Sequence, residues 1–208
     1  MRIAVLGASA GIGLQCVQLA LQKEHEVVTL SRRVVPIPDQ AKLIRVQGSA
    51  TNANTVRTVV EGAETVFVTL GTKNPLPTTM FSDSSRILLQ VLKELGSSPT
   101  LIVLTGFGAG DSWGYNTFPV RILFTLVLKQ VYTDKAVQEQ LVADGYSRWE
   151  IVRPGRLTNG SRTGRYRVLD ELVEGMKVGA IARADVAHFM VTQAEQPTYL
   201  GKYPALTY

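Results

Sequence analysis

The 208 residues include a single cysteine and only two histidines. Cys16 therefore has no partner for an internal disulfide, and Cys16, His25 and His188 are too few to build a metal cluster from thiolate or imidazole ligands. No metal is expected. Long apolar runs are also missing. The stretch Val120 to Val131 is broken by Arg121 and Lys129 and falls short of the roughly 20 residues that span a bilayer as a helix. Ile3 to Leu14 carries three glycines, which does not suit the apolar region of a secretory signal. The expectation is a cytoplasmic chain without a membrane segment, and Cys16 reads as a small core residue of the first helix. Basic runs with interleaved aromatics are absent as well. The net charge of +5 and pI near 9.4 favour anionic partners in a general way. The charges are spread along the chain, however, so no nucleic-acid partner is expected. No repeat, low-complexity tract or linker divides residues 1–208, and the length suits one domain with a small C-terminal annex on the substrate side.

What is present starts at once. Arg2-Ile-Ala-Val-Leu6 reads as a strand, and Gly7-Ala8-Ser9-Ala10-Gly11-Ile12-Gly13 follows it directly. Gly7 allows a tight turn out of the strand, Gly11 lets backbone approach a pyrophosphate, and Gly13 lets the next helix lie close to the sheet. The amides at the helix start then face the anion, with the helix dipole behind them. A carboxylate that grips an NAD ribose belongs about 20 residues further on, at the end of the second strand. That strand ends instead in Ser31-Arg32-Arg33. A carboxylate would repel a 2′-phosphate, whereas guanidinium groups pair with it, so the reading is NADPH/NADP rather than NADH.

Further strands are predicted at Val27–Leu30, Leu43–Val46, Thr65–Leu70, Leu101–Thr105 and Trp149–Val152. Helices are predicted over Ile12–Gln22, Asn54–Val60, from a Thr78 or Thr79 cap to Leu95 with Gly96 as its stop, from Pro119 to Val142, and over Asp185–Gln193. This alternation implies an α/β, doubly wound (Rossmann) and mostly parallel sheet of six to seven strands, with helices on both faces. Ligands of such sheets bind beyond the carboxyl ends of the strands. The residues expected around the cofactor are therefore Gly7, Ser9, Ala10, Gly11, Ile12, Gly13, Ser31, Arg32, Arg33, Ser49, Ala50, Leu70, Gly71, Thr72, Thr105, Gly106, Pro154 and Gly155.

Candidate chemistry is sparse. A Tyr-x-x-x-Lys pair is absent, and the nearest approach is Tyr132-Thr133-Asp134-Lys135. Helical spacings of three and four both leave side chains on neighbouring faces, so the pair can still converge. Lys135, Tyr132 and Thr105 are the candidate catalytic residues, each balanced against a plain surface or packing role. Arg153 and Arg156 flank Pro154-Gly155 at a strand end, where they suit an anionic group. Phe107 and Trp113, with Tyr115 and Phe118, follow or lie in a glycine-rich stretch suited to covering a flat substrate, and with Arg156 they form the substrate-side set. His188 lies in an apolar helical run and reads as structural.

The chain resembles the atypical short-chain dehydrogenase/reductases with a single NAD(P)H-binding domain, and among them the biliverdin-IXβ reductase/flavin reductase branch. The resemblance rests on Ile3–Gly13, the basic end of the second strand, Leu70-Gly71-Thr72-Lys73-Asn74, Pro77-Thr78-Thr79, Val152 with Pro154, Thr163-Gly164 with Tyr166, Asp185 with His188-Phe189-Met190, and Tyr203-Pro204. The departures are Gly7-x-x-x-Gly11-x-Gly13 where that branch has Gly-x-x-Gly-x-x-Gly, Gly48-Ser49 in place of Gly-Asp, Gly106 in place of a serine and Arg156 in place of a histidine. Lys135, with Glu139 one turn later, also resembles the lone lysine of the isoflavone-reductase-like branch. The resemblance implies an NADPH-dependent reductase that passes hydride to a planar small molecule: a flavin (FMN, FAD or riboflavin as substrate), a biliverdin-like tetrapyrrole or a quinone-like acceptor. Such hydride transfer needs no covalent nucleophile. The alternative is a non-enzymatic NADP(H)-binding sensor of NmrA type. A monomer is compatible with so short a chain.

Overall fold

A computed structural model describes residues 1–72, 76–115 and 129–208. Six apolar runs form the strands β1 (Arg2–Leu6), β2 (Glu26–Ser31), β3 (Leu43–Gln47), β4 (Thr65–Val68), β5 (Thr100–Leu104) and β6 (Trp149–Pro154). They pair in parallel in the order β3-β2-β1-β4-β5-β6. Every residue of β4 and β5 is buried, as strands covered on both faces require. The cover comes from α1 (Gly11–Gln22), α2 (Ala53–Val60), α3 (Met80–Leu95), α4 (Lys129–Gly145) and α5 (Arg183–Glu195).

The strand period of two sorts the core into two layers. Ile3, Val5, Phe67, Ile102 and Val152 pack with Cys16, Val17, Val186 and Met190 of α1 and α5. Ala4, Leu6, Val66, Val103 and Ile151 pack with Val56, Leu88, Leu92 and Val142 of α2, α3 and α4. Cys16 is fully buried, and burial pushes its thiol far up from the ordinary range, which leaves it inert.

The sheet does not stop at six or seven strands. β10 (Ala205–Thr207) joins in parallel beside β6, and β8 (Arg167–Leu169) pairs antiparallel with β10, giving eight strands among the described residues. β7 (Arg156–Thr158) and β9 (Ala180–Ala182) form a separate parallel pair. Elements of three residues show no usable period: β10 is a strand because the edge of β6 offers it backbone partners, β8 because β10 does, and β7 and β9 because they pair with each other. Asp185 pins this annex. It accepts bonds from the Thr163 amide (2.9 Å) and hydroxyl (2.8 Å), the Gly164 amide (2.8 Å) and the Tyr208 hydroxyl (2.7 Å). Burial works to raise its pKa, but these donors hold it below the usual carboxylate value.

Two boundaries differ instructively. The fourth strand ends at Val68 rather than Leu70 because the Thr69 hydroxyl turns back to the carbonyls of Leu6 (3.1 Å) and Gly7 (3.3 Å). Thr79 stands at the α3 N-cap without a side-chain cap bond. Thr78 Oγ1 accepts from the Met80 amide (3.1 Å), while the Asp134 carboxylate, arriving from α4, accepts from the Phe81 amide at 2.8 Å. Gly96 ends α3 in the left-handed conformation, as its sequence position implies. The helix expected from Pro119 is described only over Lys129–Gly145, and Lys73, Asn74, Phe118 and Pro119 lie outside the described residues.

Candidate functional site

The site begins where β1 runs into α1. Gly7 has φ of +99°, and a Cβ there would stand 2.7 Å from the Thr69 carbonyl oxygen. A Cβ on Gly13 would run into the Gly7 carbonyl and the Thr69 hydroxyl, so this glycine sets how closely α1 lies on the sheet. Gly11 is different, because nothing lies within 4 Å of its would-be Cβ. It faces open space at the mouth of the crevice. Ala10, the N-cap, makes no side-chain cap bond, and the first turn of α1 has no acidic residue. The helix therefore starts with amides left for an external acceptor and with the positive end of its dipole exposed. Ser9 is half-buried beside this turn and Ile12 is buried beneath it. Open backbone at Gly11, an uncapped helix start and tight packing at Gly13 fit a pyrophosphate.

At the end of β2 the Ser31 hydroxyl, buried, donates to the Arg33 carbonyl and folds the chain back on itself. Arg32 and Arg33 are left exposed at this turn. Neither guanidinium takes part in an ion pair with another described residue. Ser49 and Ala50 follow β3, with Ser49 Oγ sharing a bond with the Thr51 hydroxyl at 2.8 Å. Leu70, half-buried, and the exposed Gly71 and Thr72 follow β4. Pro154 and Gly155 serve the backbone of the fold. The Pro154 carbonyl accepts from the Phe107 amide (2.9 Å), and the Gly155 amide donates to the Leu206 carbonyl (3.0 Å).

The third part lies beyond β5. Lys135 Nζ donates to the Thr105 carbonyl at 2.6 Å and stands 5.2 Å from the ring centre of Phe81 and 5.6 Å from that of Tyr132. Burial lowers the Lys135 pKa to about 8, against the opposing pull of Glu139. Burial, aided by the Glu139 charge, pushes the Tyr132 phenol up to about 12, so it stays protonated throughout the neutral range. A Cβ on Gly106 would stand 2.7 Å from the Tyr132 hydroxyl oxygen. The place where the related branch has a serine is thus occupied by the tyrosine tip. The structure brings Thr105, Gly106, Tyr132 and Lys135 together, as the helical spacing suggests. Two hydrogen-bond donors, a neutral phenol and a soft ammonium, stand at the carboxyl end of the central strand.

Behind them lies a charge network whose members Thr105, Glu139 and Arg153 the sequence singled out separately, but not as partners of one another. The buried Glu139 carboxylate accepts from the Thr105 hydroxyl (2.6 Å) and doubly from Arg153, at Nε (3.0 Å) and Nη2 (2.7 Å). Arg153 Nη1 donates to Asp111 at 2.6 Å, and its guanidinium lies 4.1 Å from the ring centre of Tyr203. Arg153 is 2% exposed. The expectation that it reaches an anion in the crevice is therefore corrected: its donors are turned inward to Glu139 and Asp111. Arg156 is exposed at the start of β7. Phe107 is buried, and the Trp113 backbone lies in the short 3₁₀ turn Gly110–Tyr115. His188 Nδ1 pairs with the Tyr166 hydroxyl at 2.9 Å, away from this cluster. Glu139 was legible as one helical turn beyond Lys135; Asp111 and Asp134 carry no sequence signal of their roles. Among the described residues no group of His, Cys, Asp and Glu is arranged to hold a metal, and no helix is long and apolar enough to cross a membrane.

A parallel, doubly wound sheet with an open glycine turn before an uncapped helix defines a dinucleotide-binding domain. Residues 7–197 match the NAD(P)H-binding family, and the chain belongs to that family. Solved structures share the fold at low identity. The anaerobillin reductase ChuY from Escherichia coli O157:H7 is 22% identical, with a TM-score of 0.81 covering 100% of this chain and 97% of that one. A short-chain dehydrogenase/reductase from Veillonella parvula, solved in complex with NADP, is 15% identical, with a TM-score of 0.83 covering 100% and 94%. A 3-beta-hydroxysteroid dehydrogenase from Mycolicibacterium neoaurum is 38% identical over 68 residues, which is 33% of this chain and only 19% of that protein.

Proposed function

We propose that the chain is an NADPH-dependent reductase that delivers hydride to a flavin, a biliverdin-like tetrapyrrole or a quinone-like acceptor. The observation that carries this reading is the pairing of an open phosphate cradle at Gly11 with two exposed guanidiniums, Arg32 and Arg33, and, across the strand ends, a donor pair formed by Lys135 and Tyr132. The likeness to an anaerobillin reductase and to a protein from Streptococcus pneumoniae provisionally assigned as an NADH-flavin reductase, 20% identical with a TM-score of 0.80 and coverage of 100% and 99%, supports the same class of chemistry.

When bound, the nicotinamide supplies the hydride. The chain's own groups hold and polarise. The first amides of α1 take the pyrophosphate, and Arg32 and Arg33 pair with a 2′-phosphate. Lys135 is placed to donate to a ribose hydroxyl, or to an acceptor oxygen or nitrogen as negative charge develops on it. The Tyr132 phenol is the second donor. Hydride and one proton together complete a two-electron reduction, and neither donor has to act as a nucleophile.

NADPH oxidation measured with FMN, biliverdin and a quinone panel tests the proposal. At least one acceptor is expected to accelerate it well above background; no acceleration with any of them would sink the reductase reading, and nucleotide binding without turnover would favour the sensor.

The Lys135 ammonium gives a second prediction. It is the charged form below about 8. If that charge assists the reaction, kcat/KM falls as pH rises through that value. Lys135→Met is expected to lower turnover and remove this basic limb, while Lys129→Ala, which removes an exposed charge at the start of the same helix, keeps it. An identical basic limb in both variants would assign it to another group.

A further inference from the structure

The stretch from Phe107 to Ser112 is held at two points. At its start the Phe107 amide donates to the Pro154 carbonyl at 2.9 Å, tying it to β6. At its far end Asp111 is tied to Arg153 at 2.6 Å. Between them the Ser112 hydroxyl accepts from the Gly108 amide (2.8 Å) and donates to the Ala109 carbonyl (2.6 Å), closing the loop on itself. Gly110 has no room for a side chain: a Cβ there would stand 2.7 Å from Glu139 Oε2 and 3.0 Å from Arg153 Nη2. The loop is thus seated directly on the buried Glu139–Arg153 pair, immediately after the strand end where Thr105 and Gly106 meet Lys135 and Tyr132.

The two carboxylates on Arg153 are unequal. The side chain of Glu139 is 3% exposed and that of Asp111 is 65% exposed. Glu139 already satisfies Nε and Nη2, so Arg153 keeps its charge compensated without Asp111. Ion pairs with one partner in water add little to global stability. The Asp111 contact therefore has a local consequence: it ties the turn Gly110–Tyr115 to Arg153.

We propose that Asp111 is a positioning residue that, acting through Arg153, holds the Phe107–Ser112 loop as the wall of the acceptor pocket and so determines acceptor affinity. This rests on the reductase reading, since it assigns the crevice beyond β5 to the acceptor. Asp111 touches neither cofactor nor acceptor in this scheme. It fixes the loop beforehand, so that binding does not have to order it.

Asp111→Asn and Asp111→Glu test the proposal on the full chain. In Asp111→Asn, amide hydrogen exchange at Gly108–Ser112 is expected to quicken on the order of tenfold, the factor that a local loss of about 1.4 kcal/mol produces, while the sheet amides stay protected. The acceptor KM is expected to rise with little change in the NADPH KM, and Asp111→Glu is expected to recover part of both effects. Unchanged exchange together with an unchanged acceptor KM would overturn the proposal. So would a general loss of protection that raises both KM values alike, because that is a stability effect only. The exchange measurement needs no turnover. If the wild-type protein reduces no acceptor, the reductase reading fails while the hold of Asp111 on its loop is still decided.

Discussion

Glu139→Ala is expected to destabilise the fold by about 3–5 kcal/mol, the range found when one partner of a buried ion pair is removed. Arg153 would lose both bonds from Nε and Nη2 and remain inside with only the exposed Asp111 to answer its charge. Thr105 would lose the acceptor of its hydroxyl at the same stroke. In a domain of this size a loss of that order corresponds to a Tm lower by roughly 6–20 °C. Glu139→Gln, which keeps an acceptor for Thr105 but not the charge, is expected to fall between wild type and Glu139→Ala. Urea unfolding of the three proteins checks the order. A loss below about 1 kcal/mol in Glu139→Ala, the range of a surface pair, would mean that water reaches Arg153 and that the network is not the anchor described.

The second large effect is on cofactor choice. Replacing Arg32 and Arg33 together by alanine is expected to weaken NADPH binding by about one to two decades for each charge-assisted hydrogen bond removed, from roughly 1.5–3 kcal/mol apiece. NADH, which has no 2′-phosphate, is expected to bind as before. Stability should hardly move, because both side chains are exposed and form no ion pair with the described residues of the fold. Titration of each nucleotide against the double variant reads the result directly. An unchanged preference for NADPH would place the 2′-phosphate pocket away from the end of β2. High salt should erode NADPH binding more than NADH binding, since exposed charge pairs are screened.

The glycine turn shows why part of this site was legible. The positive φ of Gly7 and the contact of Gly13 with the Gly7 carbonyl lie within one strand–turn–helix unit, so these reasons sit within a few residues of each other, whereas the close approach of Thr69 and Leu70 to Gly7 comes from the end of another strand. The Tyr132–Lys135 pair was legible for a similar reason, because both lie on one helix three residues apart. Asp111 and Arg153 were not, since they meet across 42 positions and their pairing depends on which way each side chain turns at a strand end. The spacing around Pro154-Gly155 placed Arg153 near the crevice but could not tell inward from outward. Asp134 is similar: its role as the acceptor for the start of α3 spans 53 positions, and a local cap at Thr78 or Thr79 was the only reading open to the sequence.

By itself the sequence determined the alternation of strand and helix, the burial of the central strands and the phosphate turn at the first glycines. These rest on local backbone conformation and on the periods of apolar residues, which are written along the chain. Only the tertiary structure decided that the sheet continues past β6 into β10 and β8, that Tyr132 fills the space above Gly106, and that Arg153 turns inward between Glu139 and Asp111. A three-residue strand exists only beside an edge that accepts it, and a buried guanidinium takes whichever carboxylates the packing brings within reach. Neither partner is specified by residues close in the chain.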